Sequence, residues 1–137
     1  MLLVPVDLAI VVRAWEKGRR AWPDLVVERE DFAAYLAERW PIGELHNFGP
    51  DLYLACACLH RVPSAAEAFR SRYLARVPAY LGTLARSREF IAEIQQALTE
   101  DLLVGHLGTP KLAEYRGRGS LEGFVRALAV ARARAHL

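Results

Sequence analysis

Two sets of polar side chains, one acidic and at helical spacing and one a dense run of arginines, are the residues of this sequence best placed for chemistry. Glu89, Glu93, Gln96 and Glu100 recur at intervals of four, three and four, which on a helix gathers them into one stripe. Carboxylates so placed, with no lysine among them, repel one another by about a few tenths of a kcal/mol per i,i+4 pair. Such a ridge is either a plain solvated face or a docking surface for a basic partner helix. The second set is basic. From Tyr115 to Leu137 stand Arg116, Arg118, Arg126, Arg132 and Arg134, against the single acid Glu122. Arginine at this density suits phosphate oxygens. It suits equally well the negative end of a C-terminal helix.

The inventory for catalysis is short. His46, His60, His106 and His136 are scattered, and no serine or carboxylate recurs beside one as a triad requires. Glu93 and Glu100 stand about 10 Å apart along a helix. No Glu-x-x-His pattern accompanies them, which excludes a di-iron bundle. The expectation is therefore a protein that is not an enzyme and holds no cofactor. Cys56 and Cys58 point about 200° apart on a helix. His60, on the Cys56 face, completes only a two-ligand fragment where structural zinc needs four. The pair reads as reduced core thiols, and no metal site is expected. The run from Gly117 to Gly123 has neither the lysine nor the preceding strand of a phosphate-binding loop. Its glycines read instead as a tight lead into a last helix.

The elements that must carry these residues are helices. The 137 residues are 53% hydrophobic with a net charge of only +2, enough for a packed core and too little to signal nucleic-acid binding by itself. Helical periodicity runs almost throughout, and strand alternation is nowhere convincing. Asp7 caps a first helix that Pro23 stops, and a second spans 28–39 with Phe32, Tyr35 and Leu36 inward. Pro41, Gly43, Asn47, Gly49 and Pro50 read as a loop, after which Asp51 caps a third helix. A capping box, Ser64 to Glu67, opens a fourth, which Pro78 kinks or splits. Ser87 caps a fifth helix to about residue 104, with Phe90, Ile91, Ile94 and Leu98 inward. Ser120 caps the last, with Leu121, Phe124, Val125 and Leu128 inward and Arg132 close to that face.

The expected fold is an all-α, compact bundle of about six helices. Residues 1–50 form an N-terminal helical pair packed on or preceding the core, and 51–137 form the main helical domain. No apolar run approaches the ~20 residues of a membrane span. Asp7 interrupts the apolar opening Met1 to Val6, which also lacks a basic start and a cleavage site. The chain reads as cytoplasmic, with no membrane partner.

Four blocks carry a resemblance. They are Asp51-Leu-Tyr-Leu-Ala-Cys-Ala-Cys58, the run from Phe69 to Leu81, Glu89-Phe-Ile-Ala-Glu-Ile94, and Gly119-Ser-Leu-Glu-Gly-Phe-Val125. In order and spacing they resemble region 2 of sigma-70-family transcription factors, in particular a divergent group seen in myxobacteria. The resemblance covers about residues 51 to 137, with Ala21-Trp-Pro23 before it. It implies a helix that docks on the β′ clamp coiled coil of core RNA polymerase, with Glu89, Glu93, Gln96 and Glu100 as the contacts. It also implies that the last segment opens and reads −10 promoter DNA through Arg116, Arg118, Phe124, Arg126, Arg132 and Arg134. Phe124 stands where many members have tryptophan. Ala92 replaces a usual glutamine, and Val130 and Ala131 replace polar residues of the promoter-reading helix. These departures touch promoter reading more than polymerase docking. A polymerase-binding adaptor or regulator that has lost DNA reading, with a regulatory protein as a further partner, is the alternative.

Overall fold

The structure, a computed structural model, describes residues 7–105 and 107–135. The apolar opening and the histidines at 106 and 136 lie outside the described residues. Among the described residues there are seven α-helices and no strand: α1 (Leu8–Ala21), α2 (Arg29–Glu38), α3 (Leu45–Leu59), α4 (Ala65–Arg72), α5 (Val77–Leu81), α6 (Arg88–Thr99) and α7 (Leu121–Ala135). All but α5 are eight residues or longer. The all-α expectation is met.

Several helix ends follow directly from local chemistry. Asp7 accepts from the Ala9 amide at 2.9 Å, and Ser87 accepts from Phe90 at 3.0 Å. Both occupy orphan amides of a first turn. Phe32, Tyr35 and Leu36 of α2 are buried. Pro78 splits the expected fourth helix. After α4 a 3-10 turn runs Leu74–Arg76, and Pro78 sits in the first turn of α5, where its missing amide costs no bond.

Three expectations are corrected. The loop around Asn47 to Pro50 is helical: α3 starts at Leu45, bends at Phe48 (φ −117°, ψ 27°) and contains Pro50. Proline tolerates this because the bend relieves its clash with the preceding turn. Asp51 therefore lies inside α3 rather than capping it, and the boundary expected between 50 and 51 falls within a helix. Ser64 is left-handed (φ 72°) and its hydroxyl makes no cap, since an N-cap needs extended backbone to aim its oxygen at the third amide. On α7 the fully buried stripe is Leu121, Val125, Ala129 and Ala133, with Phe124 and Leu128 half-buried at its edge. Small alanines four apart let the helix lie close, which rotates it away from the larger side chains.

The core runs from α1 through α7 and includes Val11, Leu25, Val27, Phe32, Tyr53, Phe69, Ile94, Leu112 and Val125. Tyr53 sits at its centre. Its ring covers Gly18, where any side chain would run into it. Its hydroxyl donates to Leu25 O at 2.6 Å and accepts from the Val27 amide at 3.2 Å. Trp22 Nε1 donates to Pro50 O at 3.2 Å. Together these bonds lash the α1–α2 connection to α3.

Candidate functional site

The acidic ridge is positioned by the opposite face of its own helix. Phe90, Ile94 and Leu98 are buried, and this anchors α6 so that Glu89, Glu93, Gln96 and Glu100 are all exposed on one side. Between the two faces, Gln95 Nε2 donates to Leu74 O at 3.0 Å, pinning the helix rotation. The α-helix proper ends at Thr99, so Glu100 opens a π turn to Val104, closed where Gly105 (φ 77°) donates to Glu100 O at 2.6 Å. The ion pairs among the described residues use Glu38, Glu122, Glu114 and Asp101, none of them on the ridge. Its charge faces solvent.

Three of the six candidate DNA-contact residues come together. Arg116, Arg118 and Phe124, with Tyr115, Ser120 and Gly123, line an open groove of about 690 Å³. Tyr115, 3% exposed, forms its floor and meets Phe124 edge-on, 5.4 Å between centroids and 60° between planes. The Tyr115 hydroxyl donates to Gly119 O at 2.6 Å, and burial holds that phenol far above its usual range. It is a fixed neutral donor. Both arginines are exposed. The left-handed Gly117 (φ 71°) between them turns the chain where a Cβ would crowd Leu52 at 3.1 Å.

The wall of the groove is the start of α7, and two oxygens cap it. Ser120 Oγ accepts from Gly123 at 3.0 Å. Asp51 Oδ2, from α3, accepts from Leu121 at 2.9 Å. Burial raises the Asp51 carboxyl above its usual range, against the opposing pull of the Leu121 amide, the Arg72 charge and a hydrogen bond with Tyr73.

The other three arginines lie elsewhere. Arg126 is exposed, but it sits about 200° round the helix from Phe124. It shares a flank with Glu122, whose Oε2 takes Arg76 Nη1 at 3.0 Å and the Tyr80 hydroxyl at 3.1 Å. Those two bonds hold the Glu122 carboxyl below the usual range. Arg132 Nη1 lies 3.3 Å from Asp101 Oδ2, so its guanidinium snorkels to an acid of the π turn. Arg134 is exposed on the last turn of α7.

Sequence reasoning missed Tyr115 and Asp51 as parts of this site. Tyr115 precedes the arginines in a segment without periodicity, so no spacing marks it as the partner of Phe124. Asp51 meets an amide 70 residues away, a contact with no local signal.

The thiols stand apart from both surfaces. Cys56 Sγ is 3.6 Å from His60 Nδ1 and Cys58 Sγ is 3.5 Å from Ala65 O. Among the described residues no three His, Cys, Asp or Glu side chains gather as a metal site would require. Also among them, no helix is long and apolar enough to cross a membrane. No protein-family model, no curated protein and no solved structure matches this chain.

Proposed function

We propose that the chain is a sigma-like transcription-initiation module that binds core RNA polymerase and contributes to opening −10 promoter DNA. The observation that carries the reading is the α6 ridge: Glu89, Glu93, Gln96 and Glu100 are solvent-facing on a helix whose other face is locked into the core. A basic coiled coil such as that of the β′ clamp complements this surface. The groove supports the second half. It offers an aromatic wall and two exposed arginines, which suit an unpaired base and its flanking phosphates. On this reading no bond is made or broken; the work is docking and holding melted DNA in the cytoplasm.

Calorimetry of the chain against an isolated β′ clamp coiled coil tests the docking. Micromolar or tighter binding is expected, and Glu93→Lys should abolish it while leaving the helical circular dichroism unchanged. A folded wild type that does not bind overturns the docking assignment.

A second reading, a polymerase-binding adaptor without DNA reading, is favoured by the dispersal of α7's arginines. Arg132 is engaged by Asp101, and Arg126 lies on the flank away from Phe124. Binding to the clamp with no affinity for single-stranded −10 DNA selects this reading over the first.

A further inference from the structure

We propose that residues 39–44 form a brace that positions the arginines of the groove, with Arg39 as the positioning residue; the inference rests on reading that groove as a nucleic-acid interface. Arg39 lies just past the end of α2. Its guanidinium stands 4.2 Å from the centroid of the Tyr35 ring. Nη1 donates to Tyr35 O at 3.1 Å, and Nε donates across the fold to Ala113 O at 2.9 Å. Its side chain is 13% exposed, so its charge is turned inward rather than offered to a ligand.

The same segment then grips the groove-lining loop directly. The Gly43 amide donates to Arg116 O at 2.8 Å and the Glu44 amide to Gly117 O at 2.7 Å. The two backbones pass so close that a Cβ on Gly43 would lie 2.5 Å from Gly117 O. The backbone from Ala113 to Gly117 is thus tied at three carbonyls, and the Arg116 and Arg118 side chains project from a fixed track. Ordering a loose loop at the moment of binding costs affinity, and a loop already held avoids that cost. A planar guanidinium fixed by one ring and two carbonyls suits such a strut, whereas an ammonium cannot reproduce its fork.

Fluorescence anisotropy of a labelled single-stranded DNA of about twelve nucleotides, over a series of salt concentrations, tests the brace in the full chain. The proteins are wild type, Arg39→Ala, Arg39→Lys, the Arg116→Ala/Arg118→Ala double variant, and the triple with Arg39→Ala. Arg39→Ala should weaken binding while leaving the log–log salt slope close to wild type, because the same phosphates are met in the complex. The double variant should lose slope, by up to about 1.4, or roughly 0.7 for each of two phosphate contacts. Arg39→Ala should add nothing in the triple variant, and lysine should not restore binding. In parallel, hydrogen exchange at the Gly43 and Glu44 amides should quicken in Arg39→Ala while the amides of the α3 core stay protected. Additive losses in the triple, or rescue by lysine, would mean that Arg39 meets DNA itself and would overturn the brace. A wild type that binds no DNA overturns the groove reading instead; unchanged exchange at Gly43 and Glu44 then overturns the brace independently.

Discussion

Asp51 spans two helices: it is wound into α3 while its carboxylate closes the first turn of α7. Because burial raises its folded value, the folded chain holds that proton more tightly than the unfolded chain does. The sign follows. Its contribution to stability is complete below the ordinary carboxyl range, about pH 4, and is lost as pH rises through the raised folded value. Asp51→Asn keeps an acceptor for the Leu121 amide and removes the charge. Its urea midpoint relative to wild type should therefore improve between about pH 3.5 and pH 7, and a difference that stays constant with pH would refute the account. The thiols allow a second residue-scale prediction. Burial pushes Cys56 and Cys58 up to about 12, so at pH 8 only about one in ten thousand is thiolate. A thiol reagent should titrate neither in the native protein and both on unfolding in urea. Prompt reaction of half-buried Cys58 in the absence of urea would contradict this.

Helices reveal which parts of the fold could be read from the sequence and which could not. Asp7, Ser87 and the inward set Phe32, Tyr35 and Leu36 were legible because each depends on neighbours within one or two turns. The acidic ridge was legible for the same reason, being a matter of spacing along α6. The start of α3 was not: proline and glycine between 41 and 50 carry strong loop preferences, and packing under α1 overrides them. The rotation of α7 was hidden because Ala129 and Ala133 count little by hydrophobicity and much by size. The α1–α3 crossing sharpens the point at Gly18, an unremarkable glycine in a helix that proves to be the seat of the Tyr53 ring. Gly18→Ala should destabilise the fold by about 1–3 kcal/mol through overpacking, despite alanine's better helix propensity. Urea unfolding followed by circular dichroism reads the cost, and a stabilised variant would show that the ring moves freely aside.

Across the whole molecule, the N-terminal helices and residues 51–137 share one packed interior. Tyr53 and Arg39 each bond across residue 50, and Trp22 bonds to Pro50, itself within helix α3. A fragment of residues 51–137 would expose the Tyr53 ring, now covered by Gly18 of α1 and Phe32 of α2, and would begin partway through α3. It should lack a cooperative thermal transition, while the full chain shows one. A cooperative melt of the fragment would mean that the first fifty residues are dispensable for folding. The groove, whose backbone is tied to residues 39–44, would lose its footing in the same truncation.

The acidic flank of α6 has a practical corollary at the bench. With a formal net charge of +2 and a sequence pI near 8.7, the purified protein should pass through an anion-exchange column at neutral pH. Yet resin sees the patch that faces it and not the sum, and here Glu89, Glu93 and Glu100 stand exposed along one side of α6. At low ionic strength the chain should be retained on both anion and cation exchangers, and Glu93→Lys should elute markedly earlier from the first alone.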